Sequence, residues 1–246
     1  FKNSFGPLGQ SLDMIDVLQK ADSIKTNPGS SHNELSTKYL LLYKYLNKFP
    51  NKVKCFVGAS AIGFYGDRKD ELLSETSSSG NDFLSKTTKL WEESSDKIES
   101  LNIRRVLLRI GIVLSLKGGA LPKTAFPLHF CIGSYFGNGQ QFYSWIHIDD
   151  LCKMFVFAIE NKELKGVFNA VAPNPVTNKA FVANIGEAMN KKNILLPTPA
   201  LAMRLLLGEM SSIVLNGSKV SAEKIKNIGF QFEYEHLKTA LAEIYI

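Results

Sequence analysis

Val53-Lys54-Cys55-Phe56-Val57-Gly58-Ala59-Ser60-Ala61-Ile62-Gly63-Phe64-Tyr65-Gly66-Asp67 is the stretch whose reading decides the fold. A short apolar run stops at small residues and turns through Gly63 and Gly66, the pattern of a strand buried on both faces of a parallel sheet. Open sheets of this kind bind ligands outside the carboxyl ends of their strands, which makes Ser60 a candidate for chemistry.

Upstream of it, Leu35, Tyr39, Leu40, Leu42, Tyr43 and Leu46 recur at helical spacing between Glu34 and Leu46, giving a crossover helix that feeds the strand. Downstream, a polar loop runs through Gly80 into a second helix, whose stripe is Phe83, Leu84, Thr87, Trp91, Ile98 and Leu101. Arg105 to Leu114 is a second buried strand, ended by Lys117-Gly118-Gly119-Ala120-Leu121-Pro122. Arg109 inside that apolar run needs a partner, because an unpaired buried charge is costly. A structural ion pair and a contact on the cofactor side are both open.

Residues 133 to 150 give a glycine-rich loop and a strand that alternates as far as His147. His147 and Asp150 have the composition of a catalytic pair, but such residues more often cap the next helix, here beginning at Leu151, and tie it to the sheet. Gly166 to Ala172 is the last strand, Thr177 to Met189 a helix, and the tail holds an apolar helix from Ala200 to Leu215 and a final one from Tyr234 to Ile244.

Composition narrows the field. The chain has 246 residues, 45% hydrophobic and 21% charged, enough for one good core and a small appended lobe. Cys55, Cys131 and Cys152 are odd in number and widely spaced, so a disulfide framework is not indicated and a reducing compartment fits. The four histidines, His32, His129, His147 and His236, lack zinc-like spacing, and no metal is expected. The net charge of +6 is spread out, with Arg104-Arg105 and Lys191-Lys192 too short for a nucleic-acid stripe. The helix 200–215 carries Arg204, Gly208 and Glu209 and is too short and too charged to span a bilayer.

The amino-terminal region carries the candidate nucleotide turn. Gly6-x-x-Gly9 opens a helical pattern at Leu12, Ile15, Val17 and Leu18, with Gly6 allowing close backbone approach to a phosphate and Gly9 tight packing of helix on strand. Asn3 stands where an earlier glycine belongs, and Pro7 removes one backbone donor. Asp22 is the nearest candidate for an acidic ribose anchor, although a surface turn residue is the preferred reading. The interval from Gly9 to Ser60 is short for crossover units of ~30 residues each.

Several motifs then converge: Ser60-Ala-Ile-Gly-Phe-Tyr-Gly-Asp67, the helix from Asp82-Phe-Leu84 to Trp91-Glu92, Leu108-Arg-Ile-Gly-Ile-Val-Leu114 with Gly118-Gly-Ala120, Ser144-Trp-Ile-His-Ile-Asp-Asp-Leu151, Asn169 to Asn178, and Leu205-Leu-Leu-Gly-Glu-Met210. On these the chain resembles the YfcH-like atypical short-chain dehydrogenases/reductases, an NAD-dependent epimerase family, from residue 53 to 246. The resemblance implies an α/β fold: a Rossmann-like doubly wound parallel sheet of the extended short-chain dehydrogenase type, its front end shortened, with a small carboxyl-terminal α+β lobe. The implied division puts residues 1–115 and 142–172 in the nucleotide-binding-type domain, and 116–141 and 173–246 in the smaller one. It implies Gly6, Gly9, Ser60 and Arg109 as cofactor contacts, Ser60 as the remaining catalytic-type residue, and NAD or NADP as a cofactor that is either kept or lost.

Short-chain dehydrogenases pass a proton through a Tyr, with a Lys one helical turn later to lower its pKa. Aligned here, those positions hold Leu84 and Thr88, and neither moves a proton at neutral pH. Two functions follow as expectations. One is a non-catalytic member of the fold, an accessory subunit of a larger organellar assembly on the mitochondrial matrix side, with protein partners meeting apolar residues such as Leu205, Leu206, Met210 and Val214. The alternative is an NAD(P)-dependent oxidoreductase or epimerase that uses Ser60 without the pair.

Overall fold

In the computed structural model, the residues described are 31–191, 193–199, 201, 203, 205 and 215–246. The Gly6-x-x-Gly9 turn, Asp22, and the proposed partner-facing Leu206, Met210 and Val214 lie outside them. Helix α1 (Ser31–Lys48) leads into strand β1 (Cys55–Ala61), a 3-10 turn at Ile62–Tyr65 and the short β2 (Leu72–Leu73). Helix α2 (Phe83–Asp96) then crosses to β3 (Arg104–Ile110) and β4 (Ile112–Leu114). After α3 (Ala120–Ala125) come β5 (Ile132–Phe136), β6 (Phe142–Tyr143) and β7 (Trp145–His147), followed by α4 (Ile148–Glu160), β8 (Gly166–Ala170), β9 (Val176–Thr177) and α5 (Asn178–Ala188). The tail adds β10 (Ile194–Thr198), β11 (Lys219–Val220), α6 (Glu223–Asn227) and α7 (Leu237–Ile244).

The central sheet runs β1-β3-β8, all parallel. Its register sets two rows side by side across the three strands: Ser60, Arg109 and Asn169 in one, and Ala61, Ile110 and Ala170 in the next. Because side chains alternate along a strand, adjacent rows face opposite sides of the sheet. That single-residue offset decides which groups meet which helix.

The sequence reads Arg105 to Leu114 as one strand, whereas the structure divides it at Gly111. A Cβ at Gly111 would lie 2.4 Å from the Ser144 carbonyl oxygen, so only glycine lets the chain pass that close to the segment before β7. Beyond it, β4 leaves the first sheet and pairs with β7.

Buried apolar side chains form two main clusters. The first joins Val106, Leu108 and Phe168 of the sheet to Met154 and Ala158 of α4, and takes in Val220, Ile225 and Phe230 from the tail. The second gathers Leu114, Leu121 and Trp145 with Phe181 and Ile185 of α5 and Leu241 of α7. In the second region β10 pairs in parallel with β5, a contact between distant segments that periodicity does not reveal.

Helix α4 begins at Ile148, earlier than the expected Leu151, because His147 serves as its N-cap. His147 Nδ1 accepts the Asp149 amide at 3.2 Å, an arrangement of a type worth about 1 kcal/mol. The buried Asp150 carboxylate accepts the backbone amides of Glu233 at 2.9 Å and Tyr234 at 3.0 Å, fastening the tail to α4. The Tyr234 ring stacks on His147 at 4.1 Å between centroids. Capping and tying are the contacts this pair makes.

Candidate ligand cavity at the strand ends

A cavity of about 270 Å³ opens at the carboxyl ends of β1 and β3. Its wall includes Ala61 and Ile110 from the apolar register row, Leu84, Thr88 and Trp91 from α2, and Tyr143 from β6. The tail closes another side at 216–218. This approach again requires a glycine: a Cβ on Gly217 would sit 2.5 Å from the Phe142 amide nitrogen. The Ser218 amide donates to the Phe142 carbonyl at 3.0 Å, and Ser144 Oγ donates to the Ser218 carbonyl at 2.7 Å while accepting the Val220 amide at 2.9 Å.

Ser60 is not among the residues lining this cavity. It is buried under α2, and its hydroxyl donates to Glu92 Oε1 at 2.6 Å. Arg109, its register partner, grips the same carboxylate through two bonds of 2.8 Å, from Nε to Oε1 and from Nη2 to Oε2. The third guanidinium nitrogen, Nη1, donates to the Tyr65 hydroxyl at 2.9 Å, and Tyr65 in turn donates to Asn169 Oδ1 at 2.7 Å. Asn169 completes the chain by donating from Nδ2 to the Ser221 carbonyl at 3.0 Å. The guanidinium also lies over the Phe64 ring, 3.4 Å from its centroid. Burial pushes the Tyr65 phenol upward, against the opposing pull of Arg109.

The structure therefore brings Ser60 and Arg109 together, but around Glu92 rather than in the cavity. Of the two alternatives for Arg109, the ion pair is the one formed. The network is satisfied at each of these contacts, which is what a buried charge pair needs to be tolerable in a sheet interior. Sequence reading missed the role of Glu92. Its signal was a polar stripe on α2, Ser85, Thr88, Glu92 and Ser95, all buried at helical spacing.

The chemistry of the cavity wall is sparse. Leu84 and Thr88 occupy the wall where the resemblance would place a Tyr and a Lys. Among the described residues lining it, none is a Lys, Arg or His, and the charged one is Asp82. Asp82 is the N-cap of α2 and accepts from the Ser85 amide and hydroxyl, each at 2.8 Å. Burial pushes the Tyr143 phenol strongly upward, and no cation in the described wall brings it down. The described residues contain no group of three or more potential metal ligands, and no helix among them is long and apolar enough to cross a membrane. All three cysteines are free.

Comparison with known proteins fits this geometry. Residues 198–244 match a domain of unknown function, DUF1731. An epimerase family protein of Staphylococcus aureus is 42% identical over 206 residues, covering 82% of this chain and 67% of that protein. The epimerase family protein YfhF of Bacillus subtilis is 37% identical over 202 residues, covering 82% and 66%. Among solved structures, human epimerase family protein SDR39U1 (isoform 2), crystallised with NADPH, superposes with a TM-score of 0.80 at 29% identity, covering 87% of this chain and 72% of that one. A UDP-glucuronic acid 4-epimerase from Bacillus cereus shares the fold at a TM-score of 0.70 and 17% identity, covering 87% and 66%. With its parallel Rossmann-type sheet and these relatives, the chain belongs to the epimerase family of atypical short-chain dehydrogenases/reductases.

Proposed function

We propose that this chain is a member of the nicotinamide-dinucleotide-binding fold that holds a ligand without catalysing epimerisation, and that it works as an accessory subunit of a larger assembly. One observation carries the reading: the wall that should supply a proton relay presents Ala61, Leu84 and Thr88, with Ser60 turned into an ion-pair network. Acid–base steps need a group whose pKa lies near the working pH, within reach of the substrate. A raised Tyr143 and a capping Asp82 do not meet that need.

A nicotinamide dinucleotide is the cofactor class suggested by the NADPH in the human neighbour. It supplies hydride transfer when bound. The apolar walls at Ala61 and Ile110 suit a flat ring at the strand ends. Gly6 and Gly9, which would hold its pyrophosphate, lie outside the described residues. The subunit role is supported by exposed apolar side chains: Phe126 and Phe130 are 64% and 68% exposed, and Ile194, paired in register with Ile132, is 69% exposed. Leu205, one of the expected partner-facing residues, is 80% exposed.

The test is to incubate the protein with NADH or NADPH and with UDP-glucose or UDP-glucuronic acid. No hydride transfer and no epimer above the buffer control is the expected result. Turnover that disappears when Leu84→Trp fills the cavity would overturn the reading. Native mass measurement of the protein from its source should find the chain in a particle heavier than the same chain measured under denaturing conditions, and a free monomer there would contradict the subunit role.

A further inference from the structure

Helix α4 turns one side to the core and leaves a continuous stripe on the other. Leu151, Met154 and Ala158 are buried in the first apolar cluster, whereas Cys152, Lys153, Val156, Ile159 and Glu160 are exposed. Val156 is 51% and Ile159 58% exposed. Helical periodicity puts these five positions on one face, Cys152 and Ile159 along one side of Val156 and Lys153 and Glu160 along the other. Beside the charged side, an open groove separates α4 from the tail, with Phe157 and Phe230 in its wall and their rings 5.5 Å apart.

We propose that this stripe joins two copies of the chain, their α4 helices antiparallel across a two-fold axis beside Val156. The spacing is self-complementary. Cys152 and Ile159 are seven residues apart, as are Lys153 and Glu160, and each pair brackets Val156. A two-fold axis across antiparallel helices keeps each side of the stripe on its own side while reversing its direction. Lys153 then meets Glu160 of the second copy twice over, Cys152 meets Ile159 twice, and Val156 meets itself, each pair level to within one residue, or about 1.5 Å along the axis. A parallel pairing would oppose Lys153 to Lys153 and Glu160 to Glu160, so the charges select the antiparallel one. Lys153 already bonds Glu233 of its own chain, and its ammonium has further donors for a second carboxylate. The contact takes Val156 and Ile159 out of water, which supplies its drive.

A helix of 13 residues is about 20 Å long, and a contact of that length falls below the ~1,200 Å² of a stable interface. The dimer is therefore weak and exchanges with monomer. It goes beyond the accessory-subunit reading, whose exposed residues Phe126, Phe130, Ile194 and Leu205 stand on other elements and stay open to other partners.

Sedimentation equilibrium of the purified, reduced chain from micromolar to millimolar concentration tests the contact. The parent should pass from monomer to dimer across that range. Lys153→Glu and Glu160→Lys each turn two opposite-charge contacts into two like-charge ones, and each should weaken the dimer on the order of tenfold. An equimolar mixture of the two variants should recover most of that loss, because each chain then carries the charge the other lacks. Val156→Asp sets two carboxylates together at the axis and should stay monomeric throughout. A parent that remains monomeric, a dimer unchanged by Val156→Asp, or a mixture no stronger than its separate variants would overturn the proposal. None of these results bears on the accessory-subunit role, which turns on partners present in the source.

Discussion

Adjacent residues at the end of β1 open onto two different environments. On the Ser60 side, the row Ser60, Arg109 and Asn169 meets α2 and Tyr65 in a chain of charged and polar contacts, each partnered. On the Ala61 side, the next row meets a cavity whose wall is mostly apolar. Ser60 and Arg109, whose types suggest chemistry, are held by Glu92 and Tyr65, while the cavity is lined by residue types that suggest a core. Polarity in a sequence signals a demand for partners, and the partners can come from the protein itself as readily as from a substrate.

The largest effect expected from breaking this contrast is at Glu92. Glu92→Ala leaves the Arg109 guanidinium buried without its carboxylate and should destabilise the fold by about 3–5 kcal/mol, read by urea denaturation. Next comes Asp150→Ala, which strands two tail amides and should cost about 2 kcal/mol, with increased hydrogen exchange at Glu233 and Tyr234. Ser60→Ala removes one hydrogen bond to a charged acceptor and should cost about 1.5 kcal/mol. The smallest effect belongs to the cavity side: Thr88→Val keeps the shape of a side chain on the cavity wall, and its stability should stay within about 0.5 kcal/mol of the parent. Should Thr88→Val prove more damaging than Ser60→Ala, the assignment of the two sides would be reversed.

Much of the fold was legible because apolar runs bounded by small residues mark buried parallel strands wherever they occur. Val57, Val106, Leu108 and Phe168 fall where that pattern puts them, in the sheet interior. The need of Arg109 for a partner was legible as well, since burial of an arginine has few solutions. The identity of that partner was not. Periodicity gave α2 an apolar stripe through Leu84 and Trp91, but the sheet face beneath it presents Gly58, Ser60, Arg105 and Arg109, so the helix turns Ser85, Glu92 and Ser95 inward as well. A helix face is chosen by what it packs against, and that information lies on another element.

Ser60 shows the same limit at the scale of one residue. The end of a strand cannot be read from sequence to a single position, yet a slip of one exchanges the network side for the cavity side.

Urea unfolding of Ser60→Ala, with and without saturating NADPH, tests the separation of the two sides most directly. A ligand that binds only the native state raises stability by an increment set by its affinity. The account predicts that Ser60→Ala is less stable than the parent by about 1.5 kcal/mol under both conditions and that NADPH adds the same increment to each protein. Loss of the NADPH increment in Ser60→Ala would contradict it, because the hydroxyl would then be serving the ligand rather than Glu92.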